Sequence, residues 1–265
     1  MKVKVARRSV QLLAFSLLFL PLVWPANWMW FGTYLSSQAI GMALTDPLAA
    51  IEVMLAGKMI WWPLIGSMLP LLIATLLFGR VFCSWICPLN TVFELAAGIR
   101  APRVCRNRNG WLPYQILALF LLAALLTNLP LFTMLSPIGI LSRTVALGVG
   151  LELLFVVALI ALEWLYDRKA WCRNVCPVGA LYGLLGKWRL VSIGIDHSNC
   201  LSCHKCRNAC TMQVDVGNHR SLDQLTCTNC GDCVDACAAK AVYFTWKNKQ
   251  KGGVVQRESV DGGKR

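Results

Sequence analysis

Charged residues are scarce in this sequence, and acidic ones are the scarcer kind. Asp, Glu, Lys and Arg make up 15% of the 265 residues, whereas an ordinary soluble domain has about 25%. The sequence also lacks a G-x-x-x-x-G-K-[ST] loop and a Gly-rich dinucleotide loop, which argues against a nucleotide-dependent enzyme. Hydrophobic residues make up 57% of the chain and form long runs, a composition typical of a membrane protein.

The chain carries 26 basic and 13 acidic residues, which gives a formal charge of +13. Such an excess can indicate nucleic-acid binding. Here the basic residues cluster at the ends of the apolar runs, where the topology of a membrane protein would put them. We therefore predict no nucleic-acid partner.

Four apolar runs predict four transmembrane helices, because each has roughly the twenty residues that a bilayer requires. If the N-terminus is cytoplasmic, every basic residue except Lys58 and Arg143 falls on the cytoplasmic side, as the positive-inside rule prefers. We expect a multi-pass protein of the bacterial inner membrane with both termini in the cytoplasm. The predicted spans cover about 10–30, 60–82, 111–135 and 144–166.

One motif occurs twice. Residues 79–95 read GRVFCSWICPLNTVFEL, and residues 168–184 read RKAWCRNVCPVGALYGL. Both contain Cys-x3-Cys-Pro and follow the second helix of a predicted hairpin, so a parallel repeat is expected. The predicted fold class is an all-α membrane protein with four transmembrane helices as two repeated hairpins, plus a small C-terminal two-cluster ferredoxin-like domain. The predicted domains are 1–190 (transmembrane), 191–246 (ferredoxin-like) and 247–265 (a mobile tail).

Eight cysteines near the C-terminus form two C-x2-C-x2-C-x3-C motifs, the pattern that binds iron–sulfur clusters. In such pairs the first three cysteines bind one [4Fe–4S] cluster and the fourth reaches the other. The sequence therefore predicts two [4Fe–4S] clusters. The first would be held by Cys200, Cys203, Cys206 and Cys237, and the second by Cys227, Cys230, Cys233 and Cys210.

Three other uses of these cysteines are less favoured. Disulfides are rare in a reducing cytoplasm. Zinc sites usually have well-separated cysteine pairs, not four cysteines within eleven residues. The segment from Cys200 to His204 also matches the C-x-x-C-H pattern of haem attachment, but its cysteines already belong to the longer repeat.

The repeated motif supplies four further cysteines: Cys83, Cys87, Cys172 and Cys176. A proline follows the second cysteine of each pair, which predicts helices beginning at Pro88 and Pro177. The helix dipole and nearby basic residues would then favour the thiolate form. We expect a redox or metal role and leave open whether the four are dithiols, an extra cluster or a docking site. The alternative is that they are merely small apolar residues.

Glu152 is an acidic residue within the fourth predicted span. Because carboxylates inside membranes are expensive and often functional, we hypothesise that it accepts a proton when a quinol is oxidised. The alternative is a structural carboxylate that pairs with Arg143 or reaches the outer interface. Cys105 stands alone in a basic segment, and we assign it no role.

Together, the four predicted spans, the two Cys-x3-Cys-Pro motifs and the two tail motifs resemble the NapH family over nearly the whole chain. This family comprises membrane ferredoxin-type components of a quinol dehydrogenase for periplasmic nitrate reductase. The resemblance implies that membrane quinol donates electrons. They would pass to a periplasmic iron–sulfur protein or a membrane c-type cytochrome, and then to a terminal reductase.

Two other functions remain open at this stage. The chain could be an assembly or maturation protein that reduces a metal or a thiol in a partner. It could also be a structural anchor whose clusters only stabilise the tail. Reduction of the clusters by quinol would separate the first function from both alternatives.

Overall fold

The computed structural model describes residues 2–23, 30–32, 36–39, 42–99, 110–147, 150, 153–165, 168–216 and 225–246. These residues form short helices with two small antiparallel sheets. The helices are α1 (Lys2–Val23), α2 (Pro47–Gly57), α3 (Trp62–Phe78), α4 (Val81–Trp85), α5 (Pro88–Ile99), α6 (Leu112–Thr127), α7 (Leu131–Leu135), α8 (Pro137–Leu147), α9 (Leu153–Leu165), α10 (Ala170–Asn174), α11 (Pro177–Leu185), α12 (Lys205–Ala209) and α13 (Asp232–Ala236).

The strands contradict an all-α fold. A three-stranded antiparallel sheet in the order β1–β2–β3 comprises Trp30–Gly32, Ser36–Ala39 and Met42–Thr45. In the cysteine-rich region, β4 (Val191–Ile195) pairs antiparallel with β5 (Val242–Trp246). This pair begins and ends the segment that carries the eight tail cysteines.

The prediction of four transmembrane helices is wrong for this structure. Among the residues described, no helix is both long enough and apolar enough to cross a bilayer. The three later apolar runs contain α3, α6 and α9, which have 17, 16 and 13 residues. At 1.5 Å per residue they extend roughly 20–26 Å, less than the hydrocarbon core of about 30 Å. The longest of the described helices, α1, has 22 residues.

Local backbone geometry explains why the apolar runs are divided. Helix α6 ends at Asn128, whose φ of 56° lies in the left-handed region. Helix α3 ends at Gly79, where φ is +74°, a conformation that glycine adopts readily. A new helix begins within a few residues of each break, so an apolar run of some twenty residues contains more than one helix.

The repeat has the same local structure in both copies. In each, a five-residue helix carries the first cysteine and a second helix begins at the proline after the second cysteine. The predicted helix starts at Pro88 and Pro177 are confirmed. The reason is local, since proline suits the first turn of a helix and disfavours helical geometry at the preceding residue.

Candidate iron–sulfur site

The upstream cysteine motif lies partly at the surface. Cys203 is exposed, whereas Cys200 and Cys206 are half-buried. The Cys206 thiol interacts electrostatically with those of Cys200 and Cys237, so the fourth cysteine of the downstream motif lies with the upstream set. We call Cys200, Cys203, Cys206 and Cys237 the outer set.

The downstream motif is more enclosed. The thiol of Cys233, which is buried, interacts electrostatically with those of Cys230, Cys227 and Cys210. These four, which we call the inner set, all line one cavity. The fourth cysteine of the upstream motif therefore lies among the downstream cysteines.

Backbone N–H groups point at several of these sulfurs. The N–H groups of Met212 and Val214 donate to Cys210, and that of Asp232 donates to Cys230. Such hydrogen bonds favour the thiolate form of the cysteine and help to set the reduction potential of a bound cluster. Burial nevertheless dominates and raises the pKa of the Cys230 thiol to about 12.

The loop that carries Cys227 and Cys230 is anchored on the helical part of the chain. Arg189 donates to the carbonyl of Cys227 at 3.0 Å, and Ser84 donates to that of Thr228 at 2.8 Å. The Asn229 amide donates to two carbonyls outside the loop, at 2.8 and 3.0 Å. Since these are long-range contacts, the inner set is held in a fixed position against the helices.

A buried ionic network ties the first helix to the same region. The Arg7 guanidinium lies 3.1 Å from the Asp232 carboxylate and 3.2 Å from that of Glu94. The Lys169 ammonium lies 3.0 Å from the other Glu94 oxygen. Burial alone would raise the pKa of Glu94, but Lys169 and Arg7 outweigh it and hold that pKa below its usual value.

The four cysteines of the repeat also come together, in a second cavity. This cavity, which we call the repeat cavity, is lined by all four side chains: Cys83, Cys87, Cys172 and Cys176. The Cys87 thiol interacts electrostatically with those of Cys83 and Cys176, and the Cys172 thiol with those of Cys176 and Cys87. The two copies thus contribute two thiols each to one cavity.

The predicted preference of these cysteines for the thiolate form is wrong for the free thiols. Burial raises the pKa of Cys87 and of Cys176 to about 12. Hydrogen bonds from backbone N–H groups at the start of the following helices act in the opposite direction, but they are outweighed. The desolvation of a charged sulfur is the larger effect here.

Glu163, which the sequence suggested was only an interfacial residue at the end of the fourth predicted span, is buried. Glu163 accepts N–H bonds from Lys169 and Trp171, each at 3.1 Å, and so fixes the start of the helix that carries Cys172. The sequence signal for a buried role of Glu163 was its position as an acidic residue inside an apolar run. Glu152, the candidate proton acceptor, lies outside the described residues, as do Cys105 and the segment 247–265.

The inner set fits an iron–sulfur cluster. Within the described segments, no three or more His, Cys, Asp or Glu side chains form a group that could hold a metal ion. A cubane is larger than a single ion and is ligated through four separate cysteines, and all four inner cysteines line one cavity. Gly231, with φ of +78°, allows the close approach of Val3 beside this cavity. The ligand role of each cysteine stays a prediction.

Comparison with known protein families places the chain among iron–sulfur proteins. A family model described as a 4Fe-4S binding domain matches residues 60–106 and again residues 149–196. Each matched segment contains one Cys-x3-Cys-Pro motif, and the eight tail cysteines lie outside both. No solved structure matches the chain.

Curated relatives match most of the length. The chain is 30% identical to ferredoxin-type protein NapH of Escherichia coli K12, over 93% of this chain and 91% of the relative. It is 29% identical to NapH of Haemophilus influenzae, over 85% and 83% of the two chains. It is 31% identical to the methylamine utilization ferredoxin-type protein MauN of Methylorubrum extorquens, over 69% and 66%. The chain therefore belongs to the NapH family of ferredoxin-type proteins and is an iron–sulfur electron-transfer protein.

Proposed function

We propose that the chain is the electron-transfer subunit of a quinol dehydrogenase, with two [4Fe–4S] clusters, one in each tail set. It would take electrons from quinol and pass them to a periplasmic iron–sulfur protein or a membrane c-type cytochrome, and so to a terminal reductase. The observation that carries this proposal is the arrangement of the two tail sets. The outer set reaches the surface at Cys203, and the inner set is enclosed against the helices.

A shared apolar core supports transfer between the two sets. Ile193, Val216 and Val242 are buried together with Cys233 of the inner set, and Cys206 and Cys237 of the outer set pack against them. When bound, an iron–sulfur cluster accepts and releases electrons. The apolar side chains exclude water between the two sites, and the backbone N–H groups at Cys210 and Cys230 stabilise negative charge on sulfur.

The partner system is proposed from the relatives. MauN relatives are as similar in identity as NapH, but the match to NapH of Escherichia coli covers 91% of that protein and the match to MauN of Methylorubrum extorquens covers 66%. The longer match supports a nitrate-reducing partner over one of methylamine oxidation. We therefore propose periplasmic nitrate reductase as the terminal reductase.

We also propose that the chain works at the bacterial inner membrane, with both termini on the cytoplasmic side. Large apolar side chains are exposed in a consecutive stretch, in which Ile60 is 73% exposed and Trp62 is 77% exposed. An exposed apolar patch of this kind indicates a lipid or protein contact. Fractionation of cells would test the location, and recovery of the chain in the supernatant after membranes are pelleted would refute it.

Quinol titration of the anaerobically purified full-length chain tests the proposed function. Menaquinol and ubiquinol analogues are added in steps, and electron paramagnetic resonance follows the appearance of reduced clusters. Dithionite defines full reduction. We expect at least one quinol analogue to reduce a cluster. Clusters that dithionite reduces but neither quinol reduces would rule out a quinol dehydrogenase, and reduction of copper or iron ions instead would favour a maturation protein.

A further inference from the structure

We propose that the repeat cavity binds a third iron–sulfur cluster, held by the four cysteines of the two Cys-x3-Cys-Pro motifs. Each copy of the repeat would supply two of the four ligands, so neither copy forms the site alone. The inference deepens the proposed electron-transfer function and rests on it only for the use of such a cluster. Iron counting tests whether the cavity holds a cluster, and it does so independently of the quinol titration that tests the proposed function.

The first support is the convergence of the thiols. Cys87 and Cys176 are buried, Cys83 and Cys172 are half-buried, and all four line the repeat cavity. Cys176 interacts electrostatically with Cys83 and Cys172, which belong to different copies. Four cysteine thiolates are the ligand set that a [4Fe–4S] cluster requires.

The second support is a matched pair of hydrogen-bond donors. The N–H groups two and three residues after Cys87, those of Leu89 and Asn90, donate to its sulfur. The equivalent groups after Cys176, those of Val178 and Gly179, do the same, and the Gly179 nitrogen lies 3.5 Å from the Cys176 sulfur.

This duplication has a physical meaning. N–H groups at the first turn of a helix stabilise a negatively charged sulfur. N–H bonds to ligating sulfurs are a standard feature of iron–sulfur sites. Both second cysteines of the repeat therefore have, at the sulfur, the backbone N–H donors that a cluster-ligating cysteine uses.

The third support is a matched pair of cations. Arg80 and Lys169 stand three residues before the first cysteine of their own copy, and both line the repeat cavity. Arg80 hydrogen-bonds the Cys83 sulfur and would attract negative charge on it. Lys169 would do the same at Cys172, where the carboxylate of Glu163 opposes it more strongly. A cluster with four thiolates carries a net charge of about −2, and the two cations that line the cavity would offset part of it. Lys169 shares its charge with Glu94.

The location also suits a redox centre. Met212 and Thr228 line both the repeat cavity and the cavity of the inner set. The two cavities thus share a wall, and the third cluster would be the immediate neighbour of the second. Each copy of the repeat lies in one of the two segments that match the 4Fe-4S family model.

Iron counting on the anaerobically purified full-length chain tests the inference. We expect about twelve iron atoms and as much acid-labile sulfide per chain, against about eight if only the tail sets bind clusters. This measurement needs no variant, so it does not depend on whether a variant folds. About eight iron atoms per chain, or zinc or copper in place of the extra iron, would overturn the inference.

Two variants locate the extra iron. Cys172→Ser should lose about four iron atoms and keep the Mössbauer and paramagnetic signals of the tail clusters, while Cys105→Ser, a cysteine outside all three sets, should lose none. A variant with all eight tail cysteines replaced by serine should retain about four iron atoms. Unchanged iron in Cys172→Ser contradicts the inference. Twelve iron atoms that no quinol reduces would leave it standing and refute the proposed function alone.

Discussion

The Tyr182 hydroxyl donates a 2.5 Å hydrogen bond to Oδ1 of Asp46, and both side chains are buried. The other carboxylate oxygen of Asp46 accepts the N–H groups of Leu48 and Ala49 at the start of α2. Tyr182 belongs to the helix that begins at the Cys176–Pro177 step, so the bond joins the second repeat to the segment before the first.

Removal of this donor should destabilise the protein. In Tyr182→Phe, one oxygen of Asp46 stays buried without its donor, which costs about 2 kcal/mol of unfolding free energy. Anaerobic denaturant titration followed by tryptophan fluorescence measures the change. Tyr243→Phe is the matched control, because the Tyr243 side chain is 45% exposed, and it should shift the free energy by less than about 0.5 kcal/mol. Equal effects of the two substitutions would contradict the prediction.

The Arg7–Glu94–Lys169 network predicts a pH dependence. Because the pKa of Glu94 is lowered in the folded protein, its stabilising effect is present above its ordinary pKa and is lost as the pH falls through the lowered value. Glu94→Gln should therefore reduce the unfolding free energy at pH 7 by roughly 3 kcal/mol. The difference from the wild type should shrink below about pH 4.5.

Denaturant titrations of the wild type and Glu94→Gln, in parallel at each pH, measure that difference. Loss of clusters in acid affects both proteins and cancels in the comparison. A difference that stays constant down to pH 3 would show that Glu94 contributes through packing and not through its charge.

Gly231 is a position where a side chain cannot be accommodated. Its φ is +78°, and a Cβ atom there would lie within 2.4 Å of a Val3 methyl carbon, so the contact must shift. Gly231→Ala should lose about 2 kcal/mol of unfolding free energy and weaken the contact of α1 with the inner set. In Gly66→Ala the new Cβ meets no atom within 4 Å, and this helical position should gain up to about 1 kcal/mol. A neutral Gly231→Ala would contradict the structure of this contact.

The exchange of fourth cysteines between the tail motifs can be tested directly. Cys210→Ser should lose about four iron atoms and leave the signals of the outer set intact, although Cys210 belongs to the same sequence motif as Cys200, Cys203 and Cys206. Cys237→Ser should have the opposite effect. Loss of the outer-set signals in Cys210→Ser would mean that each motif binds its own cluster.

Local geometry could be predicted from the sequence. The helix starts at Pro88 and Pro177 follow from proline chemistry, and the repeat is visible in the residue pattern. The lengths of the helices within the apolar runs could not be predicted in the same way. Hydrophobicity does not indicate at which residue a helix ends. Asn128 and Gly79 adopt positive φ within apolar runs that the sequence predicts to be single helices.

The long-range polar contacts were beyond sequence reasoning. Nothing in periodicity indicates that Arg7 pairs with Asp232, or that Arg189 donates to the carbonyl of Cys227. The thiolate prediction at Cys87 and Cys176 failed for a related reason. Burial depends on the tertiary structure, and here its effect exceeds that of the helix N-terminus.

The contact of Arg7 with Asp232 also bears on how the protein is made. The first helix leaves the ribosome long before its counterpart, which is encoded 225 positions later. Until synthesis is nearly finished, the Arg7 guanidinium has Glu94 available but lacks Asp232, the second carboxylate that it pairs with in the folded protein. The contact between α1 and the inner set can therefore form only after nearly the whole chain has been synthesised.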